Sequence, residues 1–132
     1  MDRLIKVNTL YDRIGGRESL AKLLRHFYAD VQQHELIGPI FNAQITNWPE
    51  HLELIASFWT RLTGGPSFYS GNVPGKHILL GLSPKHFQAW LQLWEFNCRN
   101  YLKTPEAEEM IELAHDIGKR LSRHVGAETA AL

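Results

Sequence analysis

The chain holds one cysteine, Cys98. A lone thiol excludes an internal disulfide framework and any multi-cysteine zinc or iron–sulfur site. At 132 residues the chain needs neither, because a domain of this length buries about two-thirds of its unfolded surface. The thiol count fits a reducing compartment. No apolar run approaches the roughly 20 residues that cross a bilayer. The start, Met1-Asp2-Arg3-Leu4-Ile5-Lys6, has no long apolar stretch behind its charges, so no secretory signal is expected and the expected location is cytoplasmic. Excess charge is missing too. Fourteen Lys and Arg balance fourteen Asp and Glu, and nothing draws the protein as a whole to nucleic acid or to an anionic membrane. Repeats and low-complexity tracts are absent. An apolar share of 44% and a charged share of 21% are ordinary globular values. The expected organisation is a single domain over 1–132, with the small, weakly patterned tail 127–132 frayed.

Several motifs are also missing. There is no His-Glu-x-x-His or Cys-x-x-Cys, no phosphate-binding or dinucleotide glycine fingerprint, and no Gly-x-Ser-x-Gly elbow.

What is present is helical periodicity. Leu20, Leu23, Leu24, Phe27, Tyr28 and Val31 recur at three- and four-residue spacing, one face of a helix. Gly15-Gly16 breaks it from a shorter first helix, and Gly38-Pro39 turns the chain into a corner. A further helix is predicted from Asn47 or Trp48, with Asn47 as cap and Pro49 in the first turn. Its inner face is His51, Leu52, Ile55, Phe58, Trp59 and Leu62, and it stops at Gly64-Gly65-Pro66. Residues 64–76 carry four glycines and two prolines in thirteen positions, which excludes a long helix there. A loop of this length in a small domain is often functional. His77 and the apolar Ile78-Leu79-Leu80 follow it. Ser83-Pro84 starts the next helix, with Phe87, Trp90, Leu91, Trp94, Cys98 and Tyr101 on its face. The last helix follows Thr104-Pro105, with early glutamates favouring its dipole. Met110, Leu113, Ala114, Ile117 and Leu121 form its stripe. The class is all-α, about five helices with one long loop.

Two of the seven histidines stand out. His51 sits on a stripe of bulky apolar residues, where the ordinary reading is a half-exposed, hydrogen-bonded stripe-edge histidine. His77 closes the glycine-rich loop before an apolar patch, where the ordinary reading is a surface histidine. Tyr28 carries a hydroxyl on an apolar face and needs a buried partner, ordinarily backbone. Trp90 and Trp94 share a face, and core packing accounts best for Trp94. Taken together the types are those a flat, apolar, metal-centred cofactor requires. One imidazole binds the metal, aromatic and branched aliphatic groups cover the faces, and donors stand on the open side. His77, Phe41, Ile55, Phe58, Tyr28 and Trp90 supply them from separate segments.

The order of motifs resembles the truncated, two-over-two haemoglobins, from about Thr9 to Val125. The stretches that carry it are His26-Phe27-Tyr28, Leu36-Ile37-Gly38-Pro39-Ile40-Phe41-Asn42, Trp48-Pro49-Glu50-His51, Phe58-Trp59, Lys76-His77 and Phe87-Gln88-Ala89-Trp90-Leu91. They look most like the third group of that family. Phe41 is similar to the phenylalanine packed on the haem at the corner. His51 is similar to the distal histidine of that group, and Trp90 to a tryptophan of the distal pocket. One departure is Leu10-Tyr11-Asp12-Arg13-Ile14-Gly15-Gly16, a glycine motif more usual in the first and second groups. Gly64-Gly65 is expected to belong to the same pattern.

The resemblance implies haem b, with His77 as the proximal iron ligand on a very short helix. Tyr28 and Trp90 become distal donors, and His51 a donor, a gate or a competing sixth ligand. Phe41, Ile55, Phe58 and Trp59 shape the apolar pocket, and Lys76 and Lys85 are candidates for the propionates. The implied ligands are dioxygen, nitric oxide, carbon monoxide or peroxide. A pocket this rich in donors holds dioxygen tightly, so turnover such as nitric oxide dioxygenation or a peroxidase-like reaction is expected ahead of oxygen transport. That chemistry calls for a separate reductase, since no flavin or nicotinamide motif is present. The alternatives are a haem-based sensor or store without turnover, and a haem-free helical interaction module.

Overall fold

A computed structural model describes residues 9–131, with side chains to Leu121. The tail 127–132, expected to fray, lies outside the described side chains. Among the described residues there are seven helices and no strand: α1 (Leu10–Ile14), α2 (Gly16–Gln33), α3 (Gly38–Gln44), α4 (Trp48–Leu62), α5 (Lys76–Leu80), α6 (Pro84–Tyr101) and α7 (Thr104–Ala131). Helix α2 packs on α4 and on α6, and α6 packs on α7, which gives two layers of two long helices. No helix among the described residues is long and apolar enough to cross a membrane.

The helix starts follow local chemistry. Asn47 accepts from the Glu50 N–H at 3.1 Å, with Pro49 in the first turn of α4. Ser83 accepts from the His86 N–H at 3.3 Å, with Pro84 opening α6. These caps satisfy donors that have no partner inside the helix.

Two short helices, α3 and α5, raise the number above the expected five. The Gly38-Pro39 corner is itself the start of α3. The reason is steric. The His34 ring Nδ1 accepts from the Leu36 N–H at 3.1 Å and turns the chain. Gly38 then lies so close to the end of α2 that a Cβ on it would sit 2.5 Å from the Gln32 carbonyl oxygen. Asn42 donates to that same oxygen at 3.1 Å. With the corner fixed, Phe41 points into the core at 3% exposure.

Both glycine pairs border the Tyr11 ring: a Cβ on Gly16 would lie 4.0 Å from it. Gly15 and Gly16 have left-handed φ of 106° and 77° and join α1 to α2. Across from them, a Cβ on Gly65 would lie 2.6 Å from the Tyr11 ring, and one on Gly64 would lie 3.1 Å from the Thr9 Cβ. Tyr11 N–H donates to the Thr63 carbonyl at 2.9 Å. Helix α1 is thereby pinned to the end of α4, and Arg13 ties it to Glu109 of α7 at 3.0 Å.

The core stripes of α2, α4 and α7 are buried as read from the sequence, apart from the half-buried His51, Leu52, Leu62 and Leu113. Tyr101 departs from expectation. It is 41% exposed, stacks on His26 of α2 at 4.5 Å and has the Lys22 ammonium 5.9 Å from its ring, so it covers a polar edge of α2 instead of entering the core.

Candidate functional site

The site forms where α2, α3, the start of α4 and the start of α6 converge. Tyr28, on the inner face of α2, is 4% exposed. Around its ring stand Phe41 at 6.4 Å, Trp48 at 5.7 Å and His51 at 6.1 Å, the last edge-on at 89°. Trp48 also meets His51 edge-on, at 5.8 Å and 90°. Edge-to-face packing of this kind fixes ring orientation as well as contributing contact energy. Ile55, one turn beyond His51 on α4, is 1% exposed and closes the apolar side.

Burial pushes the Tyr28 phenol well above its ordinary value, and the nearby Trp90 indole N–H partly opposes the rise. The phenol is therefore a permanent O–H donor. Trp90, 3% exposed on α6, meets Phe27 at 5.6 Å. Although its N–H is close enough to act on the phenol, no atom among the described residues accepts a hydrogen bond from it in proper geometry. A buried donor without a partner costs about 1–3 kcal/mol, so an acceptor placed beside the Trp90 N–H would be stabilised there.

His51 is half-buried. Burial, and then the charge of His77, lower its pKa, so the two imidazoles sense one another and His51 favours the neutral form. His77 is the second residue of α5 and is exposed, while Ile78 and Leu79 after it are buried and anchor the short helix. The glycine-rich loop ends on Gly75 at a left-handed φ of 80°. A Cβ there would lie 3.3 Å from His51 Cε1 and 3.7 Å from Nε2. The loop thus brings the start of α5 up against His51.

Tyr28, Phe41, His51, Ile55 and Trp90 converge. Phe58 sits further along α4, edge-on to Tyr69 at 5.9 Å and to Trp59 at 6.0 Å. Trp59 turns into the helical core and stacks on Trp94 at 4.8 Å. Lys76 is half-buried beside His77, and Lys85 is exposed on the first turn of α6. Sequence reasoning gave Trp48 and Gly75 no part in the site. Trp48 was legible as an aromatic three residues before His51 on the same helix, whereas nothing local marks Gly75. No cluster of three His, Cys, Asp or Glu that could hold a bare metal ion occurs among the described residues.

Two layers of long helices with a buried tyrosine edge-on to a histidine suit a small globin. The family model for bacterial-like globins matches residues 9–121, and the chain belongs to that family. It is 38% identical over 85 residues to the group 3 truncated haemoglobin of Campylobacter jejuni, covering 61% of this chain and 67% of that one. It is 30% identical over 89 residues to the group 2 truncated haemoglobin of Bacillus subtilis, covering 64% of each. In three dimensions it is similar to the crystal structure of the group III truncated haemoglobin from Campylobacter jejuni. That match has a TM-score of 0.72 and 29% identity, over 83% of this chain and 90% of that one. Membership of a globin family implies a haem cofactor.

Proposed function

We infer that this chain is a cytoplasmic haem b protein that binds a diatomic ligand, and that it works on dioxygen, nitric oxide or peroxide rather than delivering oxygen. The observation that carries the reading is the buried, unaccepted indole N–H of Trp90 beside the neutral phenol of Tyr28. Two donors held in an apolar pocket fit a polar ligand that completes their hydrogen bonding.

In this reading His77 holds the iron, Phe41, Ile55 and Phe58 wall the ring, and Trp59 backs that wall from the core. Lys76 and Lys85 answer the carboxylates at its edge. When bound, the group supplies an iron centre that takes a diatomic ligand and exchanges electrons. The protein does the rest. Tyr28 and Trp90 aim two N–H and O–H dipoles at one place, where partial negative charge is stabilised. The apolar walls exclude water and strengthen those dipoles. His51, wedged between Trp48, Tyr28 and Gly75, stands at the polar side of the pocket as donor or gate. Strong donors slow ligand escape, which favours reaction over release, and turnover then draws electrons from a separate reductase.

An absorption spectrum after haem addition tests the cofactor, since a missing Soret band removes the whole reading. Dioxygen and carbon monoxide release rates in Tyr28→Phe and Trp90→Phe test the donors. Dioxygen release should quicken about tenfold, from the lower half of the 1.5–3 kcal/mol of a charge-assisted hydrogen bond. Carbon monoxide, a weaker acceptor, should respond less. Equal responses of the two gases would leave both residues as packing. Nitric oxide consumption in the presence of a reductase system separates turnover from sensing or storage.

A further inference from the structure

Aromatic rings run in an unbroken line from the Tyr28–Trp90 pair to the protein surface. Phe27, 1% exposed, is the hub at the inner end. It meets Tyr28 at 4.7 Å, Trp90 at 5.6 Å and Trp94 at 4.9 Å. Trp94 stacks on Trp59 at 4.8 Å, 23° from parallel. The line then turns outward. Phe58 meets Trp59 at 6.0 Å and Tyr69 at 5.9 Å, and Tyr69 is half-buried in the glycine-rich loop.

Indole and phenol rings give up one electron far more readily than a benzene ring does. Trp94, Trp59 and Tyr69 can therefore hold an electron vacancy, while Phe27 and Phe58 are single-ring bridges between holders. The holders differ in what becomes of the proton, since an oxidised indole or phenol turns strongly acidic and is trapped once its proton leaves. The Trp94 N–H donates to the Met110 carbonyl at 3.0 Å, and a carbonyl accepts a hydrogen bond without taking the proton. Positive charge left there would sit in an apolar core, which is costly, so it moves on. Tyr28 is similarly enclosed, at 4% exposure. Tyr69 reaches water. Its hydroxyl donates to the carbonyl of the exposed Asn72. The Arg61 guanidinium, 5.9 Å from its ring, repels positive charge on that ring and favours departure of the proton. The line thus has an enclosed end beside two donors and a wet end where a vacancy comes to rest.

We propose that this line is a one-electron relay through which Tyr69 supplies electrons to a peroxide bound beside Tyr28 and Trp90. The choice of oxidant rests on the haem reading above. Hydrogen peroxide takes up two electrons and two protons and becomes two waters. Each electron leaves Tyr69 while the phenolic proton passes to water, which makes a neutral tyrosyl radical. A small one-electron reductant at the surface, such as ascorbate, returns one electron and one proton. Two such rounds balance one peroxide.

Two experiments read the relay. In the chain as purified, a laser pulse ionises tryptophan, nitrous oxide with tert-butanol removes the ejected electron, and transient absorption follows the radicals. Wild type should convert tryptophan radical into tyrosyl radical at a rate independent of protein concentration. Tyr69→Phe should lose that conversion, and Trp59→Phe should slow it. Tyr69 is a half-buried loop position, so the decision does not depend on how well the core variant folds. In the haem-loaded protein, hydrogen peroxide is added, the sample is frozen, and the radical is read by electron paramagnetic resonance. A tyrosyl signal is expected in wild type, absent from Tyr69→Phe and removed by ascorbate. Tryptophan radicals that decay without a tyrosyl product, or tyrosyl signals unchanged in Tyr69→Phe, would overturn the relay. Light-driven transfer without a peroxide-generated radical on Tyr69 would also overturn it, because the line would then conduct without serving the site. A chain that forms no Soret band removes the haem reading alone, and the light-driven experiment then decides the relay.

Discussion

Trp90 and Trp94 lie one turn apart on α6 and face different surroundings: the Trp94 indole N–H donates to the Met110 carbonyl at 3.0 Å, while among the described residues that of Trp90 has no acceptor in proper geometry. Both are nearly fully buried. The same residue type on the same stripe serves helix-to-helix bonding at one position and an open donor at the other. Substitution should separate the two. Trp94→Phe removes a buried hydrogen bond to the Met110 carbonyl, at a cost of about 0.5–1.5 kcal/mol. Trp90→Phe removes a donor that has nothing to lose in the unliganded protein, so its stability cost is the smaller. Chemical denaturation of both variants checks this, and an equal or larger loss for Trp90→Phe would mean its N–H is satisfied within the protein.

His77→Ala should greatly weaken haem retention, because it deletes the inferred protein bond to iron. Free imidazole should restore part of the wild-type spectrum. Unchanged haem affinity together with an unchanged resting spectrum would remove His77 from that role.

Resting spectra address His51. With Tyr28 and Trp90 as the proposed distal donors, wild type is expected to be high-spin, and His51→Leu should stay so. A low-spin wild type that turns high-spin in His51→Leu would make His51 the sixth ligand.

The pKa of His51 carries a pH dependence. Burial, with His77 beside it, lowers it below the ordinary 6.5. Below that ordinary value the unfolded chain takes up a proton that the folded chain resists. Stability therefore falls on acidification through that region and is full above it, where both states are neutral. The difference in urea midpoint between about pH 7.5 and about pH 5.5 should shrink in His51→Gln. An identical difference in the variant assigns the acid sensitivity to other groups.

Gly75→Ala tests the seat of His51. A left-handed φ costs a residue with a side chain about 1–2 kcal/mol, and the new methyl would press on His51 at 3.3 Å. The expected result is lower stability with an altered ligand-entry rate, which flash photolysis of the carbon monoxide form reads. A stability loss with unchanged entry kinetics would show that the contact is passive.

Much of the fold could be read from the chain because it is encoded within one or two turns. Asn47 with Pro49, and Ser83 with Pro84, announce their helices by satisfying N–H groups three residues away. The stripes of α2, α4 and α7 follow from side-chain spacing alone, and the glycines of residues 64–76 exclude a long helix by backbone entropy. Residue types suited to a haem site were visible too, as a lone histidine after a flexible loop and aromatic donors on inward faces.

Tertiary structure decided what depends on how helices cross. Periodicity put Tyr101 on the inner face of α6, but the ring meets His26 and Lys22 at the polar edge of α2 and stays partly exposed. Nothing near Trp90 or Trp94 in the chain says which indole finds a carbonyl, because that carbonyl belongs to α7, sixteen residues on. Gly75 matters only because α4 brings His51 against it, and Gly38 only because α2 ends beneath it. Local interactions set the elements, since capping and spacing act over a few ångströms of chain. The packing of large side chains between elements set the site, and that sum over distant residues is not written at any one position.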